Sequence, residues 1–365
     1  MHAPLPIIIA GLQQGRGLAS VHRGVIKIQL CHSCILTGDP LPCIPGGVVR
    51  TVFLSMLVVW LFMSPAHAWH EAGHKMTARI AFNLLGAEQR QQVAGVLRAH
   101  PRFRKDFAAA MPEEIANGSE REKNRWLFER ASIWPDLVAN FSEAVQTRYL
   151  RGTWHYINLP VYLTGKDEKE LANNLQQNLS MEFAPPLRQN LNIVQALKGN
   201  LLIWRDTSAA NADKAVALCW ILHLTGDLHQ PLHNVALFSR TYFPTGDRGG
   251  NSIAIKRKDG VTNLHAVWDG LANRFDKLAP DENTKELLAN DDVHLQSING
   301  WARHHRKMAM ELVYTGEVKR KLLKQVANQQ NPEISLSAEY LSTACQVARP
   351  QVIIAGHRIA ALMTH

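Results

Sequence analysis

A helical run from Ala215 to Leu228 is apolar almost all round, yet it contains His223 and Asp227. A helix that is hydrophobic on every face is buried, so this segment predicts a central helix around which the rest of the chain packs. Ionised side chains inside such a helix are costly unless they are paired or bind a metal. The run therefore predicts a helical core with a polar or metal-binding site built into it.

Other segments also have the periodicity of helices. Apolar residues recur at helical spacing in four of them: Gly73 to Leu85, Asn190 to Ile203, His294 to Val313 and Leu336 to Met363. Strand-like patterns are rare, and the best pair is a predicted hairpin of Ser252 to Lys256 with Lys258 to Thr262. We therefore expect an all-α fold with at most a small β-hairpin.

The spacing of His and Asp residues predicts a metal site. His223 and Asp227 are four residues apart, so they share one face of a helix. Pro231 ends that helix, which allows His233 to face the same cavity from another direction. The pair His265 and Asp269 repeats the four-residue spacing, although a helical salt bridge would explain a single pair of this kind.

Two further candidates lie upstream, Asp136 in Trp134-Pro-Asp136 and His155 in Trp154-His-Tyr156. Imidazole nitrogen and carboxylate oxygen are ligands that suit Zn²⁺. Asp227, at the centre of the set, is the natural residue to bridge two metals through its two oxygens. The formal net charge of +9 suits a polyanionic substrate, although such mild basicity is common in other proteins too.

The N-terminal region has the features of a signal peptide. A run of twelve residues from Val52 to Met63, apolar except for Ser55, follows Arg50 and precedes the small-residue site Ala66-His-Ala68. A membrane anchor or a buried helix is the alternative, but a membrane span needs about 20 apolar residues. We expect a signal peptide over residues 48–68, cleaved after Ala68, and a secreted or periplasmic protein without a stable membrane anchor after processing.

The expected domain organisation follows from the predicted cleavage after Ala68. Residues 1–47 carry five prolines and no sustained periodicity, which favours an extension that is disordered or results from a misplaced translation start. Metal-ligand candidates occur without an intervening linker, which predicts one catalytic domain over residues 69–365. This domain keeps Cys219 and Cys345, whose pairing the sequence leaves open.

Six motifs together resemble the zinc-dependent S1/P1 nucleases, which are related to the bacterial zinc phospholipases C. They are Trp69-His-Glu-Ala-Gly-His74, Trp134-Pro-Asp136, Trp154-His-Tyr-Ile157, the stretch from His223 to His233, Asp247-Arg-Gly-Gly-Asn251 and Asn263-Leu-His-Ala-Val-Trp-Asp269. The resemblance extends from Trp69 to the C-terminus. It implies a mainly helical fold of the phospholipase C/P1 nuclease type, in agreement with the periodicity.

The resemblance also implies three zinc ions per chain and divides the ligands among them. One zinc would bind Asp136, His155, His223 and Asp227, the second Trp69, His74 and Asp227, and the third His233, His265 and Asp269. Trp69 has no metal-binding side chain, so it would use its α-amino nitrogen and its carbonyl oxygen. That nitrogen is available only when Trp69 is the first residue of the processed chain.

By the same resemblance, the protein is expected to hydrolyse single-stranded DNA and RNA to products with 5′-phosphates, and to remove the phosphate of 3′-nucleotides. A metal-bridged hydroxide would be the nucleophile, with Asp136 and Asp227 as the catalytic carboxylates. Tyr156 is at the position of a base-stacking aromatic, and Asn158 replaces an Asp that recognises the base in fungal members. Ala139 stands near the position of a phosphate-binding Arg, so Arg248 is a candidate substitute, and Asn251 is expected to order the pocket.

Two rival functions stay open at this point. A phospholipase C could use the same metal cluster, although those relatives tend to have Glu where this chain has Asp269. A non-catalytic zinc-binding protein would hold its zinc without an open coordination position, whereas the third set has only three protein ligands. The expectation is a monomeric zinc-dependent nuclease.

Overall fold

The computed structural model describes residues 70–274, 288, 297–325 and 332–364, which all belong to one compact unit. Residues 1–68 and Trp69 lie outside the described residues. The extension and signal peptide expected there, and the proposed domain boundaries, therefore stay predictions.

The fold is mainly helical, as predicted. Labelled in chain order over the described residues, the helices are α1 (Glu71–Leu84), α2 (Ala87–Arg98), α3 (Glu113–Ala116), α4 (Glu120–Leu137), α5 (Glu143–Tyr149), α6 (Gly165–Leu171), α7 (Ile193–Arg205), α8 (Asn211–Leu228), α9 (Leu264–Asp269), α10 (Ile298–Met308), α11 (Gly316–Leu323) and α12 (Ala338–Thr364). None of these described helices combines the length and the apolarity needed to cross a membrane.

Helix α8 is the centre of the core, as its apolar sequence predicts. Every side chain from Ala217 to Leu228 is buried. Helices α1, α2, α4, α7 and α12 all pack against it. Burying each large apolar side chain contributes about 1.5–3 kcal/mol, so this enclosure holds the helix rigidly in the middle of the fold.

Two small sheets accompany the helices. Their strands are β1 (Leu159–Tyr162), β2 (Val235–Phe238), β3 (Ala254–Arg257), β4 (Gly260–Asn263) and β5 (Glu333–Ile334). Strands β3 and β4 form the predicted antiparallel hairpin, and β5 pairs with β3 in parallel. Strands β1 and β2 form a parallel pair in which Leu159 lies opposite Val235.

The β1–β2 pair was not foreseen, because four residues that include a proline are too short for an alternating pattern. It matters because His155 and His233 lie just before the two strands. The backbone N–H of Ile157 donates to the His233 carbonyl at 2.8 Å. Strand pairing therefore brings together two segments that are far apart in sequence.

Of the two cysteines whose pairing was left open, Cys219 is buried and free, and Cys345 is buried as well. Burial raises the pKa of the Cys219 thiol well above its usual range, since a thiolate is poorly solvated inside the helical core. Cys219 is therefore an unreactive core residue.

Candidate metal centre

Helix α8 places two of the predicted ligands at the centre of the site. His223 and Asp227 are both fully buried, and His223 Nε2 lies 3.3 Å from Asp227 Oδ2. Their four-residue spacing puts both side chains on one face of the helix. The other predicted ligands that the structure describes come from α1, from the end of α4, from turns that precede β1 and β2, and from α9.

The first group adds Asp136 and His155 to this pair. His155 Nδ1 lies 3.0 Å from His223 Nε2 and 3.1 Å from Asp227 Oδ2. Asp136 Oδ1 lies 3.4 Å from the His223 nitrogen and 3.7 Å from the His155 nitrogen. Tetrahedral zinc ligands with bonds of about 2.0–2.1 Å lie roughly 3.3–3.4 Å apart. The separations measured within this group are therefore close to those that a zinc ion requires.

The second group is formed by His74 and the other oxygen of Asp227. His74 Nε2 lies 3.1 Å from Asp227 Oδ1, and the His74 ring stacks on the His223 ring with centroids 4.0 Å apart. Gly226 permits this approach, since a Cβ there would lie 2.7 Å from His74 Nδ1. Asp227 thus directs its two oxygens to different groups, which is the geometry of a bridging carboxylate.

The third group comes from the turn before β2 and from α9. His233 Nε2 and His265 Nε2 face each other at 3.1 Å, and Asp269 Oδ2 lies 3.4 Å from the His265 nitrogen. All three side chains are buried. The structure therefore brings together eight of the nine predicted ligands, and the ninth, Trp69, lies outside the described residues.

Hydrogen bonding shows that these residues fit a metal. Within the described residues, neither ring nitrogen of His74 nor Oδ1 of Asp227 has a hydrogen-bond partner, although all are buried. An unsatisfied buried polar atom costs about 1–3 kcal/mol unless another group binds it. A cation between His74 and Asp227 would supply the missing interaction.

Three histidines are oriented by their outer ring nitrogens. The Nδ1–H groups of His223, His233 and His265 donate to the carbonyls of Ser132, His155 and Gly249, at 2.8, 2.6 and 2.7 Å. A carbonyl only accepts, so each ring carries a proton on Nδ1 and directs its Nε2 toward its group. Metal-binding histidines are commonly held in this way.

An open cavity of about 670 Å³ adjoins the centre. Asp136, His155, His233 and His265 contribute to its wall, and so do all four predicted substrate-binding residues, Tyr156, Asn158, Arg248 and Asn251. The ring of Tyr156 is 39% exposed, which is unusual for a large aromatic side chain beside a buried site. The cavity therefore gives solvent and substrate access to the first and third groups.

Comparison with known proteins agrees with this geometry. A model of the S1/P1 nuclease family matches residues 69–365, a range that includes every residue of the three groups. The chain belongs to the S1/P1 nuclease family. It is similar to Endonuclease 1 of Arabidopsis thaliana, with 23% identity over 322 residues that cover 86% of this chain and 92% of that protein. It is also similar to Endonuclease 5 of Arabidopsis thaliana, with 23% identity over 325 residues that cover 86% of this chain and 96% of that protein. A stretch of 53 residues, 14% of this chain and 15% of that protein, is 40% identical to Nuclease S1 of Aspergillus oryzae.

Membership in the S1/P1 nuclease family makes this protein a nuclease, that is, a hydrolase whose substrates are nucleic acids. S1/P1 nucleases are zinc enzymes, and the His and Asp groups of this chain could hold metal. The mainly helical fold is also that of the family.

The electrostatics of the nuclease site prepare it for cations. Burial lowers the pKa of His74 to about 4 and that of His265 to about 3, so both imidazoles are neutral near pH 7 and can act as ligands. Burial would also lower the pKa of His223, but the carboxylates of Asp227 and Asp136 outweigh it and raise this pKa to about 9, so a metal ion that binds this ring must displace a proton. Burial raises the pKa of Asp269 well above its usual range. Burial thus makes the ionised form of Asp269 unfavourable, and a bound cation would stabilise that form.

Two positioning residues of the nuclease were missed by sequence reasoning. Gln230 Nε2 donates to Asp269 Oδ1 at 2.8 Å, while its Oε1 accepts from the Leu232 backbone at 2.6 Å. Gln230 thus fixes the carboxylate of the third group. Its position between Asp227 and His233 was a usable signal, because a buried amide between two ligands needs partners of its own.

Asp247 is the second positioning residue. It is buried and accepts from the Leu237 backbone N–H at 2.8 Å and from the Tyr314 hydroxyl at 2.6 Å. Burial raises its pKa to about 6. Asp247 anchors the start of the loop whose Gly249 carbonyl accepts from His265, so it supports the third group indirectly.

His229 lies apart from the three groups. Its Nδ1–H donates to the Thr225 carbonyl at 2.6 Å, and its Nε2 accepts from Arg358 at 2.7 Å. The residue therefore joins α8 to α12 and does not face the cavity.

Substituting Gly249 by Ala should destabilise the nuclease. Gly249 has φ +60°, and a Cβ there would lie 2.5 Å from the Leu232 carbonyl oxygen. We expect the free energy of unfolding to fall by about 2 kcal/mol or more, together with weaker zinc binding at the third group. Thermal unfolding with metal analysis measures both. Gly95→Ala is the control, since a Cβ there meets nothing within 4 Å. Equal stability of the two variants would contradict this account of the loop.

Proposed function

We propose that this protein is a three-zinc nuclease that cleaves single-stranded DNA and RNA to 5′-phosphate products and removes the phosphate of 3′-nucleotides. One observation carries the proposal: the His and Asp groups adjoin a single open cavity that also holds the exposed ring of Tyr156. Hydrolysis of a phosphodiester requires cations that stabilise the charge on the phosphoryl oxygens. Binding of an unpaired base requires a flat apolar surface on which the base can stack. The cavity offers residues that could bind cations beside an aromatic side chain that could stack on a base.

The ligand sets proposed from the sequence suit the geometry of the groups. Asp136, His155, His223 and Asp227 would hold one zinc ion, His74 and Asp227 with the terminus of Trp69 a second, and His233, His265 and Asp269 a third. When bound, zinc polarises phosphoryl oxygens and lowers the pKa of a coordinated water to about 7, which supplies a nucleophile near neutral pH.

The residues of the third group are suited to receive the phosphate. Among the described residues, three ligands contribute to this group, and His233 and His265 also line the cavity. A zinc site with three protein ligands keeps a position for substrate, which is the pattern of catalytic sites. A group of this kind favours an enzyme over a zinc protein with closed coordination.

Two arginines contribute positive charge to the cavity wall, the expected Arg248 and the unforeseen Arg151. The guanidinium of Arg151 donates to the carbonyls of Leu150 and Arg148 at 2.8 and 2.7 Å and lies 5.7 Å from the Trp154 ring centre. Its charge is therefore fixed before substrate arrives. We propose that these arginines orient phosphates, in place of an arginine near Ala139.

Asn158 is suited to recognise the base. Its Nδ2 donates to Gln177 Oε1 at 2.8 Å, which fixes the orientation of the amide. Its Oδ1 is thereby left as an acceptor, which suits the amino groups of adenine, cytosine and guanine. This contact would act next to the stacking ring of Tyr156.

Replacing Tyr156 by Ala should weaken the proposed single-strand activity. Stacking on an aromatic ring contributes roughly 1–3 kcal/mol per base, so kcat/KM for a single-stranded oligonucleotide should fall about 5- to 150-fold. Tyr156→Phe keeps the ring and should retain most activity. Steady-state kinetics on one oligonucleotide compare the three proteins. If Tyr156→Phe and Tyr156→Ala lose activity equally, the ring does not act by stacking.

A phospholipase C remains the rival enzyme, and one comparison separates the two. Purified protein is assayed on single-stranded DNA and on phosphatidylcholine vesicles. The proposal expects turnover of DNA, and turnover of lipid alone would overturn it.

We also propose that the protein is exported and acts as a monomer outside the cytoplasm, after cleavage behind Ala68. Support comes from the signal-like segment of residues 48–68 and from the metal-binding role that a free Trp69 amine would acquire. N-terminal sequencing of the exported protein tests the cut, and its sedimentation velocity tests the monomer.

A further inference from the structure

A second cavity of about 250 Å³ lies at the far end of strand β1. Its wall includes the side chains of Tyr162, Glu168, Arg306, Met310 and Lys319. None of these residues belongs to the metal-binding groups or lines the open cavity of about 670 Å³ beside the metal centre, which we call the catalytic cavity. The proposed chemistry therefore leaves this cavity without a role.

Two cations give the second cavity a positive wall. Arg306 is half-buried, and its Nε and Nη2 donate to the Pro160 carbonyl at 3.1 and 2.8 Å, which holds its charge in place. Lys319 is also half-buried, and burial lowers its pKa. In the part of the chain that the structure describes, its ammonium forms no hydrogen bond or ion pair. An ammonium in this position favours an anion, because partial burial without a partner is unfavourable.

The remaining wall is suited to a base. The half-buried ring of Tyr162 and the side chain of Met310, 41% exposed, offer apolar surface beside the cations. The carboxylate of Glu168 also lines the cavity and is exposed to solvent. Burial and the negative charge of Glu168 together raise the pKa of the Tyr162 hydroxyl. Cations beside an aromatic ring form the combination that binds single-stranded nucleic acid.

Strand β1 connects the two cavities. Leu159 and Val161 are buried, whereas Asn158, Pro160 and Tyr162 are half-buried and share the opposite face of the strand. Asn158 lines the catalytic cavity and Tyr162 lines the second one. Four residues of strand span roughly 13 Å, a distance that a chain of a few nucleotides can cover.

We propose that the cavity formed by Tyr162, Arg306, Met310 and Lys319 is a second, non-catalytic binding site for a nucleotide unit of the single-stranded substrate. The site rests on the proposed nuclease function and deepens it, since it makes long strands better substrates than dinucleotides. Lys319 and Arg306 bind a backbone phosphate, and Tyr162 with Met310 contacts a base.

The test compares a 20-residue oligothymidylate with the dinucleotide TpT as substrates of the zinc-loaded protein. Lys319→Gln removes one cation at nearly constant size. Arg320→Gln is the matched control, because Arg320 is the exposed neighbour on α11 and does not line the cavity. Tyr162→Leu removes the ring and keeps an apolar side chain against Phe238. KM and kcat are measured for each protein at several salt concentrations.

Lys319→Gln should raise KM for the 20-mer about three- to tenfold and reduce the salt dependence of log(kcat/KM) by about 0.7, the value for one phosphate contact on a single strand. Tyr162→Leu should raise KM for the 20-mer without changing the salt dependence. Both variants should hydrolyse TpT like the wild type, and Arg320→Gln should match the wild type on both substrates.

Three results would overturn the second site. If Lys319→Gln and Arg320→Gln behave alike on the 20-mer while the wild type cleaves it, the nuclease stands and the second site fails. If Lys319→Gln impairs TpT as strongly as the 20-mer, the role of Lys319 is structural. If the wild type cleaves neither substrate, the proposed function fails as well.

Discussion

Replacing Asp227 by Asn should abolish nuclease activity and remove zinc from two groups at once. The two oxygens of Asp227 face different groups, one at 3.1 Å from His74 and the other at 3.1 Å from His155. An asparagine offers one neutral oxygen, so one group loses its shared ligand and the other keeps only an uncharged, weaker ligand in place of a carboxylate. Losing several kcal/mol of transition-state stabilisation corresponds to a roughly thousandfold or larger fall in kcat/KM. Nuclease kinetics and zinc analysis measure both effects.

Asp213→Asn provides the control for this substitution. Asp213 is an exposed carboxylate in the first turn of the same helix α8, so its loss changes charge without touching the site. It should retain full activity and full zinc content. An Asp227→Asn protein that keeps its phosphodiesterase activity would show that the shared carboxylate is not central.

A single extra residue before Trp69 should remove one zinc ion and at least about 99% of nuclease activity. Mutating a residue that only hydrogen-bonds to a metal ligand already costs about 10- to 100-fold in metal affinity or activity, and here a ligand itself is lost. An α-amino group has an ordinary pKa of about 7.7–8.0, so zinc can displace its proton near neutral pH. A preceding residue turns this amine into an amide, which is a poor ligand. His70, the next residue, donates its backbone N–H to the Asp269 carbonyl at 3.3 Å, so the described chain begins beside the centre.

The control for the terminus is Trp69→Phe, which changes the side chain but keeps the free amine. It should bind zinc like the wild type, whereas the extended protein should bind one ion fewer. Full activity and full zinc content in the extended protein would remove Trp69 from the ligand set.

The central helix and the spacing of its ligands could be predicted from sequence, since both depend on local periodicity. The run around His223 is apolar on all faces, and helix α8 is buried on all faces. His265 and Asp269 likewise lie on one short helix, α9, as their spacing indicated. Local patterns of this kind survive folding because the helix itself fixes which side chains are neighbours.

The convergence of Asp136, His155 and His74 on α8 could not be derived from spacing. These residues come from separate elements, and packing of α1 and α4 against α8 brings two of them together. The third depends on the β1–β2 pair, which no periodicity signalled. Resemblance to the S1/P1 nucleases supplied this information.

Residues that act through other residues were the hardest to foresee. Gln230 lies between two ligands in sequence, but neither it nor Asp247 is otherwise marked there, and their roles become clear from the contacts with Asp269 and with the loop of Gly249. Arg151 enters the catalytic cavity because local carbonyls and Trp154 direct its side chain there. Such roles depend on tertiary geometry, which a single sequence does not display.

Zinc analysis of the exported, processed protein tests the central claim most directly. The protein is purified from the secreted or periplasmic fraction, its N-terminus is sequenced, and its zinc is measured by mass spectrometry alongside a single-stranded DNA assay. A three-zinc centre completed by the terminal amine predicts a chain that begins at Trp69, binds about three zinc ions and is active. Full nuclease activity in a chain that binds one zinc ion or none would contradict it.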